Sequence, residues 1–253
     1  KQLCKGDLSM SENVIDVRDL VITYKTVQRS SLLHFLQPGR KRKKEELFTA
    51  VKGVSFSIEE GQIVGIVGKN GSGKSTMLRS IAGVFSPNSG SIDIHGRSIS
   101  LLSIGVGFER TLSGRENIYL SGLLLGFSKE QIREREESIV TFSELGDFID
   151  KPVSTYSSGM YSKLAFSITA ILETDIMLID EVLSVGDVKF KRKSYEKMKE
   201  LIQDDRRTVL IVSHSSETIR NLCSKVLWLH DGELKRFGET EEVLAEYEAF
   251  MNG

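Results

Sequence analysis

The feature that most constrains this chain is the stretch Gly68-Lys69-Asn70-Gly71-Ser72-Gly73-Lys74-Ser75-Thr76. It follows the apolar run Gln62-Ile63-Val64-Gly65-Ile66-Val67 and precedes Met77-Leu78-Arg79-Ser80-Ile81-Ala82, whose apolar spacing is helical. Strand, glycine loop and helix is the setting in which G-x-x-x-x-G-K-[ST] forms a phosphate cradle. Glycines let backbone N–H groups converge on phosphate oxygens, and the following helix presents its positive end to the same anion. Lys74 adds a point charge for β- and γ-phosphates, and the Ser75 hydroxyl is a hard oxygen ligand suited to Mg²⁺. The nucleotide contacts expected from this stretch are Gly68, Asn70, Gly71, Ser72, Gly73, Lys74, Ser75 and Thr76. The competing reading, a glycine-rich turn with an accidental Lys-Ser, leaves the flanking strand and helix unexplained.

Two later segments place polar groups at strand ends. Ile176-Met177-Leu178-Ile179-Asp180-Glu181 is a buried-strand run ending in two carboxylates. Beside a phosphate loop, Asp180 can hold Mg²⁺ directly or through water, and Glu181 is then placed to orient or deprotonate an attacking water. Alone, the pair would be a strand ending in solvated acids. Thr208-Val209-Leu210-Ile211-Val212-Ser213-His214 repeats the pattern with His214 at its end. A lone histidine there is usually structural, but near a γ-phosphate it can donate a hydrogen bond that distinguishes ATP from ADP. Tyr156-Ser157-Ser158-Gly159-Met160 opens an apolar helix containing Leu164, Ala165, Ile168 and Ile171. Ser157 and the first amides of that helix would make another anion-binding end. Spacing alone does not separate that reading from an ordinary capped helix start, nor say which phosphate it would meet.

Composition limits the partners. The 253 residues carry a formal net charge of −1, with 40% hydrophobic and 27% charged residues. That balance supplies no global electrostatic reason to bind nucleic acid. Three prolines and no low-complexity tract argue against long disordered regions. Cys4 and Cys223 fit a reducing compartment and form no metal spacing; a frayed end and an apolar helix are their expected places. No apolar run approaches the roughly 18–20 residues that span a bilayer. The longest candidate, Ile118 to Phe127, is ten residues and contains Ser121 and Gly122. The N-terminus also lacks the apolar core of a signal peptide. A cytosolic chain is expected, with any membrane role exercised through a partner.

Residues 1–12 carry little pattern and read as a flexible end or an appended remnant, ahead of one nucleotide-binding domain over 13–253. Val14 to Tyr24 alternates as a strand. Residues 25–46 break the pattern and concentrate Lys25, Arg29 and Arg40 to Lys44. Such a run is a solvated loop, or beside a membrane a segment attracted to the anionic leaflet. Leu32-Leu33-His34-Phe35-Leu36 within it is a short apolar turn suited to docking. Val51 to Ile58 alternates with Lys52, Val54, Phe56 and Ile58 on one side, predicting a strand with one buried face. Ser86-Pro87-Asn88-Ser89-Gly90 signals a turn, with strands near 91–94 and 99–103. A mainly helical insertion is expected over about 105–170. It contains one helix with Asn117, Leu120 and Leu124 and another from Ser128 to Leu145, opened by a Ser128/Gln131 capping box. Strands then return at 176–180, 208–213 and 225–230. Alternating strands and helices around a phosphate loop predict an α/β fold with a mostly parallel sheet covered on both faces.

Taken together, these motifs resemble the ATPase of an ABC transporter, over essentially the whole chain from about residue 14. Gly68–Thr76 matches Walker A, Tyr156–Met160 the signature motif, Asp180-Glu181 Walker B, Ser184–Asp187 the D-loop and His214 the switch histidine. The resemblance implies a P-loop NTPase of ABC type. Its RecA-like, mostly parallel core would carry an antiparallel β-subdomain and an inserted helical subdomain. It further implies ATP and Mg²⁺ as cofactors, Ser75 and Asp180 as metal ligands, and Glu181, His214 and Lys74 as the catalytic set. Tyr24 resembles the aromatic that stacks on adenine. Ser157, Ser158 and Gly159 would meet ATP held by a second copy of the chain, so that a homodimer closes two sites.

Gly114-Arg115-Glu116-Asn117-Ile118, Tyr156–Met160 and Glu181–Asp187 resemble, more narrowly, the ATPases that export lipid-linked polysaccharides. Glu246-Tyr247-Glu248-Ala249-Phe250 and the basic insertion are most similar to the teichoic-acid branch. That branch implies a dimeric transmembrane permease, an undecaprenyl-linked wall polymer and residence at the cytoplasmic face of the membrane. The O-antigen branch often adds a C-terminal carbohydrate-binding domain, and none is expected within these 253 residues. Two departures stand out. The signature ends in Met160 where the family pattern has glutamine, and Gly105 to Arg110 contains none either, with Glu109 the nearest polar substitute. Rival readings are export or import of another solute, and a soluble ABC ATPase of translation or DNA repair. The latter class usually carries two such domains or a long coiled-coil insertion.

Overall fold

A computed structural model describes residues 12–26, 46–102, 107–180, 186–204 and 207–252. Cys4, most of the basic insertion with its apolar turn, Gly105 and Val106, Glu181 and the D-loop residues Ser184 and Val185 lie outside the described residues. In chain order, β1 (Asn13–Thr26) and β2 (Glu46–Glu59) precede β3 (Ile63–Val67), which leads into α1 (Lys74–Ile81). Next come β4 (Ser89–Asp93), β5 (Ile99–Leu101) and the helices α2 (Gly114–Leu124), α3 (Lys129–Ser143) and α4 (Ser158–Leu172). The last third alternates β6 (Ile176–Asp180), α5 (Val188–Ile202), β7 (Thr208–Val212), α6 (Ser216–Leu222), β8 (Lys225–His230), β9 (Glu233–Glu239) and α7 (Thr240–Asn252).

The strands make two sheets. β2-β1-β4 is antiparallel, and β5-β6-β7-β3-β8-β9 is parallel except for its last edge, where β9 runs antiparallel to β8. The six-stranded sheet is covered on both faces, and its side chains follow the two-residue period of a strand. Ile176, Leu178, Leu210, Val212, Leu227 and Leu229 point into a core shared with β1, β2 and α1, where Ile15, Leu20, Met77 and Leu78 are fully buried. Met177, Ile179, Val209, Ile211 and Val226 point the other way, against Phe166, Phe190, Ile219, Val243 and Leu244 of α4 to α7. A strand buried on both faces has no polar side to alternate with, which explains the continuous apolar runs at 176–179 and 208–212. The parallel strands β3, β6 and β7 finish on one edge, so the phosphate loop, Asp180 and His214 emerge side by side.

Several expectations shift in detail. The β1–β2 ladder continues past Tyr24 through Lys25 opposite Leu47 to Thr26 opposite Glu46, so the ends of the 25–46 segment are strand. In β2 the inward face is Val51, Val54, Phe56 and Ile58, with Lys52 exposed rather than buried. The cause is an irregularity at Gly53, whose φ of 71° inserts one residue and exchanges the faces of Val51 and Lys52. β4 already begins at Ser89, inside the predicted turn, and β9 is a charged edge strand that apolar alternation did not reveal. Cys223 is extended just beyond α6 rather than within it; it is buried, and burial pushes its thiol up to about 12.

The helical segment has a core of its own. Ile118, Ile132, Ile139, Leu164 and Ile168 meet there among fully or almost fully buried neighbours. Both α2 and α3 open on complete capping boxes, Ser113 with Glu116 and the expected Ser128 with Gln131. Each cap satisfies orphan N–H groups and is worth about 1 kcal/mol. Arg115 joins the first turn of α2 to Asp150 at 2.6 Å and also bonds Glu136, which accepts a 2.6 Å hydrogen bond from the Tyr119 hydroxyl. Leu124, at the end of α2, is exposed, whereas Asn117 is fully buried and donates to the carbonyls of Glu109, Leu112 and Ser113.

Phe142, Phe166 and Phe190 join α3, α4 and α5 through ring centroids 5.8 to 6.2 Å apart, and Phe166 and Phe190 are fully buried. Phe190→Ala is therefore expected to cost about 3–5 kcal/mol, measured as a lower urea midpoint with an unchanged denaturant slope.

Candidate functional site

The phosphate loop is shaped by contacts that only glycine permits. Gly73 has a φ of 99°, and a Cβ there would lie 2.3 Å from the Ala50 carbonyl oxygen. A Cβ at Gly68 would lie 2.2 Å from the Leu229 carbonyl oxygen. The loop is strapped from within by Ser72 N–H to the Lys69 carbonyl at 3.1 Å, and from outside by Gly232 N–H to the Ser72 carbonyl at 3.2 Å. Lys74, the first residue of α1, is only 6% exposed. Its ammonium donates to the carbonyls of Gly68 at 2.8 Å and Lys69 at 2.9 Å. A buried cation must be paired with acceptors, and here the loop's own backbone supplies two. The Ser72 hydroxyl, also buried, has no hydrogen-bond partner among the described residues.

Ser75 and Asp180 meet across the edge of the sheet. The Ser75 hydroxyl donates to Asp180 Oδ1 at 2.7 Å, and Arg79 Nη2 lies 3.6 Å from Oδ2. A hydroxyl and a carboxylate are hard oxygen donors of the kind Mg²⁺ takes, and Mg²⁺ commonly uses one or two such protein ligands plus phosphate oxygens and water. Among the described residues no group of three or more His, Cys, Asp or Glu is arranged to hold a metal. The hydroxyl–carboxylate pair fits an ion that takes its remaining oxygens from phosphates and water.

A cavity of about 370 Å³ opens beside this pair. Asn70, Gly71, Gly73, Lys74, Ser75 and Thr76 form one side of it, and His214, just after β7, lies on another. Tyr24 and Phe48, directly opposite one another on β1 and β2, supply an aromatic wall. The Tyr24 hydroxyl donates to Thr76 Oγ1 at 3.4 Å, while its ring meets that of Phe85 edge-to-face with centroids 6.1 Å apart. Gly68 and Ser72 shape the loop without lining the cavity. Phe48 is an addition to the expected set: it follows the long insertion, where 25–46 masked the strand period that pairs it with Tyr24.

Ser157, Ser158 and Gly159 are not brought to this cavity. They sit at the start of α4, where Ser157 Oγ accepts from Met160 N–H at 3.2 Å as an N-cap. The α4 helix is tied instead to α5. Lys163 donates to Asp187 Oδ2 at 2.6 Å, while Asp187 Oδ1 caps α5 by accepting from Phe190 N–H at 3.0 Å. The hydrogen bond from Lys163 is the main reason the Asp187 carboxyl is lowered to about 2. Glu109 also faces a local task. Its carboxylate accepts from Thr111 N–H at 3.1 Å and Thr111 Oγ1 at 2.9 Å, contacts that hold it below the usual carboxylate range.

A model of the ABC transporter family matches residues 51–184. The chain belongs to the ABC transporter family. It is 46% identical over 213 residues to the teichoic acids export ATP-binding protein TagH of Lactococcus lactis, covering 84% of this chain and 45% of that protein. It is 42% identical over 216 residues to the O-antigen export system ATP-binding protein RfbB of Klebsiella pneumoniae, covering 85% of each. An RfbB of Myxococcus xanthus is 41% identical over 245 residues, covering 94% of this chain and 56% of that protein. The chain thus spans about half the length of the Lactococcus and Myxococcus relatives. Among solved structures, an ATP-binding subunit of an ABC transporter aligns with a TM-score of 0.70 at 22% identity, covering 93% of each chain. A dimeric ATP-binding cassette with ADP and Pi bound aligns with a TM-score of 0.67 at 24% identity, covering 89% of this chain and 98% of that one. These likenesses establish an ABC cassette fold, in agreement with the P-loop architecture expected from the motifs.

In this ABC cassette the Lys163–Asp187 pair gives a pH signature. The folded carboxyl titrates near 2, below its ordinary 3.8, so its contribution is complete above the ordinary value and is lost as pH falls through 3.8 toward 2. Asp187→Asn keeps a side chain able to cap α5 but removes the charge. The wild type is expected to unfold at higher urea than Asp187→Asn at pH 7, and the gap is expected to close below pH 3.8; parallel urea titrations check it.

Proposed function

We propose that the chain is the ATP-hydrolysing subunit of an exporter of lipid-linked cell-surface polysaccharide, with wall teichoic acid as its cargo. The observation that carries the hydrolytic reading is the 2.7 Å contact between Ser75 and Asp180 beside a cavity walled by Lys74 and His214. It joins the end of a phosphate loop to the end of β6, the arrangement an Mg²⁺–nucleotide site needs. The relatives support the polysaccharide part, since their names divide between teichoic-acid and O-antigen export.

The loop amides, with Lys74, would hold the β- and γ-phosphates; Ser75 and Asp180 would hold Mg²⁺, which supplies Lewis-acid neutralisation of phosphate charge. Tyr24, joined by Phe48, would carry the adenine on the aromatic wall. Glu181 follows Asp180 directly and would take or orient the proton of the attacking water, and His214 would contact the terminal phosphate. Ser157, Ser158 and Gly159 would complete the site of a second copy, since they lie off their own cavity. Likeness to a dimeric cassette is compatible with that arrangement. Two closed sites would then drive a dimeric transmembrane permease that carries an undecaprenyl-linked glycan, with this subunit peripheral on the cytoplasmic face. No described helix is long and apolar enough to cross a membrane. O-antigen export is the second reading, favoured by the Klebsiella pneumoniae relative that the chain covers over 85% of its length.

Glu181→Gln is expected to lower kcat by about 100-fold or more while ATP still binds and stable ATP-bound dimers accumulate. Steady-state phosphate release and size-exclusion chromatography with ATP read both effects, and normal turnover would contradict the role of Glu181. For the cargo, the chain and its copurified permease in vesicles should hydrolyse ATP faster with an undecaprenyl-linked teichoic-acid precursor than with an O-antigen precursor. The reverse order would favour the second reading.

A further inference from the structure

The phosphate loop is touched from an unexpected side. Phe250, in the last turn of α7, remains 46% exposed even though its ring has three partners. Its centroid lies 5.3 Å from that of Trp228 and 4.9 Å from that of His230, and Lys69 Nζ stands 5.3 Å from the Phe250 centroid. Lys69 is the second residue of the phosphate loop, and its carbonyl accepts a 2.9 Å hydrogen bond from the Lys74 ammonium. α7 is itself fixed to the body. Val243 and Leu244 are fully buried, Arg236 pairs with Glu246 at 3.4 Å, and Arg220 pairs with Glu248 at 3.3 Å. Held by these contacts, α7 places one aromatic face beside the side chain of a residue whose backbone helps to cradle Lys74.

We propose that Phe250 is a positioning residue for nucleotide binding, acting through Lys69. A cation over an aromatic face is attracted by the ring quadrupole. Held there, Lys69 keeps the outer limb of the loop in place before nucleotide arrives, and a preorganised loop spends less binding free energy on ordering. Tilted and edge-to-face contacts with Trp228 and His230 seat the ring, so position is transmitted from the β8–β9 end of the sheet and α7 to the loop. Phe250 touches no reacting atom. Its effect falls on nucleotide affinity and not on the chemical step. The inference rests on reading residues 68–76 as the ATP site.

The test uses the full chain and compares Phe250→Leu, Phe250→Trp, Lys69→Met and the double variant Phe250→Leu/Lys69→Met. Leucine retains apolar packing but removes the quadrupole; tryptophan retains an aromatic face. ATP affinity by calorimetry, with KM and kcat for hydrolysis, gives the readouts. Phe250→Leu and Lys69→Met should each weaken ATP binding and raise KM by about two- to fivefold, with kcat unchanged. The double variant should be no weaker than the worse single one, and Phe250→Trp should bind as the wild type does. Wild-type affinity in Phe250→Leu, additive losses in the double variant, or a fall in kcat with unchanged KM would each overturn the proposal. A wild-type chain that binds no ATP would instead remove the reading of the loop itself, so the two failures are distinguishable.

Discussion

The burial of the Lys74 charge is the constraint on which the rest of the architecture depends. An ammonium at 6% exposure must be surrounded by acceptors, and the carbonyls of Gly68 and Lys69 face it only if the loop curls back over the start of α1. That curl brings backbone so close to Ala50 and Leu229 that side chains at Gly73 and Gly68 would collide. The loop is consequently clamped between two other parts of the fold, the β1–β2 sheet through Ala50 and the β8 edge through Leu229 and Gly232. Distant elements are therefore not passive supports. They set the shape of a loop whose own sequence is rich in the residues least able to hold a shape.

The same logic places the remaining groups. β6 and β7 lie next to β3 in the parallel sheet, so their C-terminal ends deliver Asp180 and His214 beside the loop without any special turn. The two-sided burial of these strands is what makes delivery reliable. A slip of one residue would exchange the Ile176–Leu178 face for the Met177–Ile179 face and would pull Asp180 away from Ser75. Core packing and site geometry are one constraint here, imposed by register.

Much of this was legible in the residues. The phosphate loop, the strand ends carrying Asp180 and His214, the cap at Ser157 and the helical character of 114–145 all follow from local rules of period, capping and glycine content. What escaped was set by strand pairing, an inserted residue or an individual side-chain contact. Phe48 enters the cavity because of its partner across the ladder, not because of its neighbours in sequence. The faces of Val51 and Lys52 were exchanged by a single inserted residue at Gly53 that no alternation reveals. β9 is an exposed edge with little apolar signal, yet its pairing with β8 is what closes that side of the sheet and seats α7. Glu109 stood out as a polar substitute in a loop lacking glutamine, while its carboxylate in fact braces Thr111.

The separation of the α4 start from the cavity gives the proposed dimer its physical content. Within one copy, Ser157 is spent on capping its own helix, and Lys163 is committed to Asp187. The helix end is thus prepared as a rigid, amide-bearing surface that does not line the cavity of its own chain. Under the proposed reading a second copy must bring that surface to the terminal phosphate, so closure depends on a group present in ATP and lost on hydrolysis. A ligand shifts a conformational equilibrium only through such differential contact. The Lys163–Asp187 tie then has a consequence beyond stability. Asp187 immediately precedes α5 and follows the segment that begins with Glu181, so the surface offered to a partner copy and the chain next to the proposed water-activating carboxylate are linked by one ion pair.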